Sequence, residues 1–222
     1  MTRQDGFTLP EVLIASLVGF IVLSATLGLL ESTVRLGGGT MSKTDAMQRG
    51  RLAMDVITRQ LRSQVCAVAG EPAIVEGHDD RVTFYADFGD GRTAPDRRAL
   101  VLDPTQKTLV ASVYGGNGQP PGPYTFSANP TRTEHVLENA VPVSGTPFLR
   151  YFAFTTGANP EPSEQLATPL SENDRTRVAR IEIAYSARPT GARDGRHSIA
   201  LRDQVMVRHA DVNANDPDPL CP

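Results

Sequence analysis

The chain has 222 residues and a mass of 23.9 kDa, which is enough for one globular core and one appendage. Its 25 acidic and 22 basic side chains leave a formal charge of −3, so the sequence has no basic excess for binding duplex nucleic acid. Two cysteines exclude a four-cysteine zinc site and a disulfide-dense miniprotein, and they allow one disulfide at most within the chain.

The first element in chain order is an apolar segment from Phe7 to Leu30, in which Glu11 is the one charged residue. At about 1.5 Å per residue, a helix of this length reaches about 36 Å and can cross a hydrocarbon layer of about 30 Å. No small-residue cleavage site follows the segment, so it is not typical of a secretory signal that is removed behind its apolar region. Hydropathy alone therefore predicts a retained signal anchor that tethers an outer domain.

The residues at the start of this segment add a sharper signal. The string Gly6-Phe7-Thr8-Leu9-Pro10-Glu11 joins a short polar leader to the apolar segment. It resembles the class III signal of type IV pilins and type II secretion pseudopilins. In that family, prepilin peptidase cuts after the glycine on the cytoplasmic side, the new N-terminal phenylalanine is N-methylated, and the apolar helix is kept. The resemblance implies that residues 1–6 are a leader peptide, that cleavage separates Gly6 from Phe7, and that Phe7 is methylated.

Two residues of the string have a clear physical role in this interpretation. Pro10 would damage a helix interior, but after cleavage it falls in the first turn, where the amide that proline lacks would have no helical partner. Glu11 places a carboxylate in apolar surroundings at a cost of about 2.5–3.5 kcal/mol on insertion scales, so a partner is expected. The family resemblance implies that Glu11 pairs with the Phe7 ammonium of a neighbouring subunit during assembly. The alternative is a glutamate at the level of the lipid headgroups.

A second helical segment is predicted beyond the membrane span. Gly37-Gly38-Gly39 is expected to kink or briefly break the helix, because each glycine lowers helix stability by about 1 kcal/mol relative to alanine. Apolar residues then recur at helical spacing, which predicts a packing face against the rest of the protein. They are Met47, Met54, Ile57, Leu61 and Val65. The helix is expected to continue through residues 31–66, and residues 67–222 are expected to form a β-rich head.

After residue 70, short alternating runs separated by turn residues predict strands. The predicted strands are 81–86, 99–102, 107–114, 148–154, 178–185 and 197–207. Strands 99–102 and 107–114 are expected to form one hairpin, and the last two strands are expected to pair across a turn at 191–195. Gly- and Pro-rich stretches at 115–130 and 159–169 predict loops. Ser171 is expected to cap one helical turn at 171–177.

These elements predict an α+β fold, in which a long N-terminal transmembrane and amphipathic helix packs on an antiparallel β-sheet head. The order of the parts also resembles the larger minor members of the pilin family, the J-type minor pseudopilins and the W-type minor pilins. This likeness rests on diffuse features at 57–62, 82–87, 149–152 and 170–174. A high-copy major pilin is the alternative.

Motifs for catalysis or metal binding are weak. Asp87-Phe88-Gly89 copies a kinase tripeptide, but no Gly-rich loop, strand lysine or H-R-D loop accompanies it. Asp87, Asp90 and Asp96 could ligate calcium, yet their spacing fits no EF-hand loop, and a solvated turn is the better interpretation. The histidines show no metal-ligand spacing, and no serine nucleophile elbow is present. We expect no enzymatic activity, no metal and no cofactor.

The two cysteines predict one disulfide, between Cys66 at the end of the helix and Cys221 in a polar C-terminal tail. The predicted head lies outside the cytoplasm, where disulfides persist. The bridge would close a loop of 155 residues (221 − 66), worth about 5 kcal/mol at most in the chain-entropy model. A free Cys66 with a mobile tail, and a bridge between chains, are the alternatives.

The sequence thus predicts a minor pilin or pseudopilin that prepilin peptidase processes and that enters or primes a type IV pilus or a type II secretion pseudopilus. The expected partners are prepilin peptidase, other pilin or pseudopilin subunits, the inner-membrane assembly platform and the membrane itself. Nucleic acid is not an expected partner of the single subunit and stays an open alternative for the assembled filament. The expected location is a single pass through the cytoplasmic membrane with an extracytoplasmic head, and a surface or periplasmic filament after assembly. The alternative function is a membrane-anchored binding module whose loops at 115–130 and 159–169 hold a ligand.

Overall fold

The computed structural model describes residues 8–67, 71–88, 94–119, 122–156, 159–190 and 198–207. Its helices are α1 (Leu9–Arg62) and α2 (Glu172–Arg177). Its strands, in chain order, are β1 (Ile74–Gly77), β2 (Arg81–Ala86), β3 (Asp96–Asp103), β4 (Thr108–Tyr114), β5 (Gly116–Asn117), β6 (Thr125–Phe126), β7 (Arg132–Glu138), β8 (Ala140–Val141), β9 (Leu149–Ala153), β10 (Glu164–Gln165), β11 (Val178–Ala187) and β12 (Ile199–Met206). The predicted α+β class, a long apolar N-terminal helix followed by antiparallel sheets, is confirmed.

The chain divides into two compact units, Met1–Thr44 and Asp45–Pro222, and α1 contributes residues to both. Helical backbone runs through Gly37–Gly39, so the predicted short break is wrong. Glycine lowers helix stability through backbone entropy and exposure, but it keeps both groups that form the helical hydrogen bond, so a glycine run can remain helical. A bend without a break at these residues stays a prediction.

The first sheet has the strand order β1-β2-β3-β4-β7, and every pairing is antiparallel. The predicted hairpin is its centre, with Leu102 opposite Leu109. The turn is closed by the Asp103 carboxylate, which accepts hydrogen bonds from the backbone amides of Thr105 and Gln106 at 2.8 and 2.9 Å. Lys107, predicted as a strand residue, has φ +55° and belongs to the turn instead.

The second sheet has the order β10-β9-β11-β12, and β8 also pairs with β11. The predicted pairing of the last two strands is confirmed over eight residue pairs, from Arg180 opposite Met206 to Ala187 opposite Ile199. The turn predicted at 191–195 lies outside the described residues. Helix α2 leads into β11, and its predicted cap is also confirmed, since the Ser171 side chain accepts from the Asp174 amide at 3.1 Å.

One hydrophobic core unites the second half of α1 with the inner faces of both sheets. From α1 it takes Met54, Ile57 and Leu61, and from the sheets it takes large side chains such as Phe84 and Tyr151. Two of the five predicted stripe residues, Met47 and Val65, are half-buried at the margins of this face. The stripe is therefore a packing face, as the spacing predicted.

The loop predicted at 115–130 contains a small ribbon, β5 paired with β6. Phe126 from this ribbon stacks on Tyr85 of the first sheet, with ring centroids 4.9 Å apart, and its backbone neighbour Ser127 donates to Gly115 O at 3.1 Å. The stretch is thus fastened to the sheet by a stacked aromatic pair, a contact between distant residues that Gly and Pro content could not indicate.

Candidate assembly site on the N-terminal helix

The start of α1 has the geometry that the sequence predicted for a first turn. The helix begins at Leu9, and the Thr8 carbonyl accepts from the amides of Glu11 and Val12 at 3.0 and 3.2 Å. Pro10 therefore falls in the first turn, where its missing amide leaves no helical hydrogen bond unmade. Gly6 and Phe7, the predicted cleavage and methylation residues, lie outside the described residues.

The segment Leu9–Val34 is long and apolar enough to cross a membrane. At about 1.5 Å per residue, its 26 residues reach about 39 Å. Every residue from Thr8 to Val34 is exposed, including bulky side chains on all sides of the helix. A helix that is apolar all round and that none of the described residues covers is suited to an apolar environment, either lipid or neighbouring helices.

Four hydroxyl groups of this segment are satisfied inside the helix. Ser16 donates to Val12 O at 2.9 Å, Ser24 to Phe20 O at 2.8 Å, and Thr26 to Leu23 O at 2.8 Å. Thr33 makes the same kind of bond to Leu29 O at 2.9 Å. These four hydroxyls need no water, so they lower the penalty for placing the segment in lipid.

Glu11 differs from these hydroxyls. It lies in the first turn of α1, where a negative charge is favoured by the positive end of the helix dipole. The described residues offer its carboxylate neither a hydrogen bond nor an ion pair. The membrane segment therefore presents one ionisable group near its start, and a partner for it would come from residues 1–7 of this chain or from another molecule.

The second half of α1 is held by close packing that needs a glycine. The backbone of Gly50 lies so near to the second sheet that an added Cβ would sit 2.4 Å from Leu201 Cδ1 and 3.1 Å from Ala187 Cβ. The buried Tyr185 hydroxyl donates to Gly50 O at 2.6 Å. Gly50 was not among the residues predicted from the sequence, although the small residues Ala46, Gly50 and Ala53 recur at helical spacing.

The end of α1 continues directly into pairing with the first sheet. Val65 N donates to Tyr85 O at 3.1 Å, and Asp87 N donates to Ser63 O at 3.1 Å. Cys66, the predicted disulfide residue, follows this paired segment and is half-buried. Cys221 lies outside the described residues, so the Cys66–Cys221 disulfide stays a prediction.

Of the aspartates weighed for calcium, Asp90 lies outside the described residues, and Asp96 is buried and used for structure. The Asp96 carboxylate contacts the Arg98 guanidinium at 3.4 Å and accepts from the Gly116 amide at 3.4 Å. Among the described residues, no group of three or more His, Cys, Asp or Glu side chains could hold a metal ion. Asp96 thus ties β3 to the start of the β5–β6 ribbon.

Two arginines in the last turn of α2, Arg175 and Arg177, pair with partners from other elements. Arg175 Nη1 donates to Val75 O at 2.5 Å, which satisfies a carbonyl of strand β1. Arg177 holds both oxygens of the Glu164 carboxylate at 3.0 and 3.1 Å. Such pairings join residues that are far apart in sequence, so charge spacing alone could not reveal them.

Comparison with known families returns a model described as the prokaryotic N-terminal methylation motif, which matches residues 1–27. The matched range contains Gly6, Phe7 and Glu11 together with most of the exposed apolar segment. No curated protein matches the chain.

Proposed function

We infer from the prokaryotic N-terminal methylation motif at residues 1–27 that the chain is a type IV pilin or pseudopilin, and we propose that it is a minor filament subunit. Prepilin peptidase removes residues 1–6, Phe7 becomes the methylated N-terminus, and the mature subunit enters or primes a type IV pilus or a type II secretion pseudopilus. The chain is a structural subunit rather than an enzyme.

The observation that carries this proposal is the surface of Leu9–Val34. All of its side chains are exposed, four of its hydroxyls are bonded within the helix, and its first-turn carboxylate has no partner among the described residues. A plain anchor needs apolar length but has no use for a carboxylate near its start, because the cost of a buried charge rises with depth, to about 2.5–3.5 kcal/mol at a helix centre on insertion scales. A subunit that pairs this carboxylate with a neighbour's Phe7 ammonium recovers that cost on assembly.

The membrane segment serves two stages in this proposal. Before assembly it holds the subunit in the cytoplasmic membrane, with the head on the extracytoplasmic side and the leader on the side of the peptidase. During assembly the same apolar surface passes from lipid to neighbouring helices, since both environments are apolar and neither requires the side chains to change. The inner-membrane assembly platform and the other subunits are the partners of this step.

The proposal includes one disulfide bond, between the two cysteines of the chain. A disulfide between Cys66 and Cys221 would fasten the polar C-terminal tail to the segment that follows α1. The extracytoplasmic location proposed for the head, together with the count of two cysteines, supports this pairing.

The test is removal of the Glu11 charge. Glu11→Gln is expected to leave insertion and leader cleavage intact, because it removes a charge from the membrane, and to reduce recovery of the subunit in sheared filaments severalfold. The matched control is Glu31→Gln, which removes the other carboxylate of Leu9–Val34, at its far end. Immunoblots of cell and filament fractions measure both steps.

Recovery of Glu11→Gln in filaments at the wild-type level, with normal cleavage, would contradict the pairing role. That result would return Glu11 to the alternative interpretation, a glutamate at headgroup level.

A further inference from the structure

The β5–β6 ribbon carries an asparagine that is followed directly by a glycine, Asn117–Gly118. Asn117 is exposed, and its side-chain amide makes no hydrogen bond with the described residues. Its backbone pairs with Thr125, in a ribbon of two residue pairs. The described packing therefore neither shields the Asn117 side chain from water nor fixes its orientation.

The fold requires the glycine of this pair but not the asparagine. Gly118 has φ +139°, a backbone conformation that residues with a side chain rarely adopt. An added Cβ would lie 2.9 Å from Pro123 O and 3.1 Å from Tyr124 Cδ1, so this turn leaves no room for one. Because residue 118 has no Cβ, its own side chain cannot obstruct attack by its amide nitrogen on the Asn117 carboxamide.

The ribbon is anchored at the end away from this pair. At the anchored end, Phe126 stacks on Tyr85 and the Gly116 amide donates to Asp96 Oδ1 at 3.4 Å. Asn117 is at the turn end, and the pair it forms with Thr125 is the last before the turn. A two-stranded ribbon is marginally stable by itself, so local opening at the turn end breaks one residue pair and leaves the anchored end in place.

We propose that Asn117 is a site of deamidation in the folded protein. The Gly118 amide nitrogen gives up its proton to solvent hydroxide and bonds to Asn117 Cγ. The bond from Cγ to the side-chain nitrogen breaks, and that nitrogen takes a proton from water and leaves as ammonia. The resulting five-membered imide adds one water molecule at either carbonyl carbon and opens to aspartate or isoaspartate. One water is consumed, one ammonia is released, and no atom changes its oxidation state.

Both products change the ribbon. Each puts a negative charge where the neutral amide stood, and isoaspartate also routes the main chain through Cγ, which lengthens the backbone between residue 117 and Gly118. The pairing of residue 117 with Thr125 then loses its register, whereas the two main sheets do not contain this residue. The reaction needs no enzyme, so the converted fraction rises with the age of the protein. The inference does not depend on the filament role.

Other asparagines of the described residues serve as internal controls. The backbone amide that follows Asn139 donates to Lys107 O at 2.8 Å, and the amide that follows Asn173 donates to Ser171 Oγ at 3.1 Å. Each of these following residues also carries a side chain, so imide formation is expected to be slower at both positions. The remaining two precede proline, which has no amide proton to give up. They are Asn129 and Asn159.

The test is a time course of the folded full-length protein in detergent at mildly alkaline pH, followed by peptide mapping with mass spectrometry. A sample digested at time zero corrects for conversion during digestion. The peptide that contains Asn117 is expected to gain the mass difference between an amide and an acid, and to separate into an aspartate and an isoaspartate form. This conversion is expected to be severalfold faster than conversion of Asn139 or Asn173.

Two comparisons separate the effect of the fold from that of the sequence. In denaturant, conversion of Asn139 and Asn173 is expected to accelerate more than conversion of Asn117, because denaturation releases the two held amides. The matched variant is Asn117→Gln, which keeps an amide at this exposed position but would have to form a larger, six-membered imide; its peptide is expected to stay unconverted. The proposal is overturned if Asn117 converts only in denaturant, or if Asn139 or Asn173 converts at least as fast in the folded protein.

Discussion

The two halves of helix α1 differ in how their apolar side chains are exposed. From Leu9 to Val34 every residue is exposed and bulky apolar side chains cover all sides of the helix. From Ala46 to Gln64 a single stripe is buried in the head while charged side chains such as Arg51 and Arg62 stay exposed. Apolar residues on all sides of a helix suit contact with lipid or with other chains, whereas a single apolar stripe suits packing against this chain's own core. The distribution of apolar residues around the helix therefore distinguishes the two halves better than their number does.

The largest expected effect comes from the same substitution made in each half. Leu61 is 0% exposed in the core and Leu17 is 61% exposed on the membrane segment. Leu61→Ala is expected to lower the free energy of unfolding of the head by about 2–5 kcal/mol, because it removes buried apolar contacts and leaves a cavity. Leu17→Ala is expected to leave that free energy unchanged within about 0.5 kcal/mol.

Denaturant unfolding of the full-length protein in detergent measures this difference through tyrosine fluorescence. Residues 1–44 contain no tyrosine and the chain has no tryptophan, so the signal reports on the second unit. Equal loss of stability in both variants would show that the two halves are not distinct in the way described.

A smaller effect is expected from adding one methyl group to a glycine in each half. Gly50→Ala places a Cβ 2.4 Å from Leu201 Cδ1 and 3.1 Å from Ala187 Cβ, and overpacking of this kind costs about 1–3 kcal/mol. Gly28→Ala meets nothing within 4 Å and is the matched control. The midpoint of head unfolding is expected to fall for Gly50→Ala and to stay at the wild-type value for Gly28→Ala.

Alanine has a higher helix propensity than glycine by about 1 kcal/mol, so a fall in the midpoint for Gly50→Ala would mean that the overpacking cost exceeds this gain. A Gly50→Ala variant as stable as wild type would mean that Leu201 turns aside freely and that close packing at Gly50 does not stabilise the head.

The smallest effect concerns alkaline pH. Burial and the neighbouring Glu71 carboxylate raise the pKa of Tyr85 to about 12. Burial likewise raises the pKa of Tyr151 and of Tyr185. Unfolding returns these groups to about 10, so the unfolded chain releases protons that the folded chain keeps. Stability of the head is therefore expected to be independent of these groups below about pH 10 and to fall as the pH rises from about 10 towards 12.

Ultraviolet titration near 295 nm checks this expectation. At pH 11, at least three of the five tyrosines are expected to stay protonated in the folded protein and to ionise on addition of denaturant. Full ionisation of all five by pH 11 in folded protein would contradict the burial described for the three.

Local pattern was sufficient for elements that fold against nearby residues. Strand β2 has the predicted bounds, Arg81–Ala86, because alternation of apolar residues fits one buried face. The Ser171 cap was predictable because a cap involves residues only three positions apart. The apolar helix was equally clear, since a membrane segment depends on composition over one continuous stretch.

Features that depend on distant contacts were not predictable from the same patterns. Strand β7 has four consecutive exposed residues, Arg132–His135, and is held as a strand by pairing with β4 rather than by its own apolar residues. Strand β3 begins at Asp96, three residues before the predicted start, because Arg97 lies 4.7 Å from the Tyr114 ring and Asp96 binds the Gly116 amide. At Gly37–Gly39 the local pattern instead predicted a feature that is not there, because the three glycines favour a break but the helix continues through them.

The most direct test of the central claim, that the apolar half of α1 is the N-terminus of a processed filament subunit, is intact mass spectrometry of the protein purified from membranes. The expected mature protein lacks residues 1–6 and begins with N-methylated Phe7, so its mass is that of residues 7–222 with one methyl group in place of an amine hydrogen. A protein that begins at Met1 and is not methylated would contradict the claim, and it would favour the alternative of a membrane-anchored binding module.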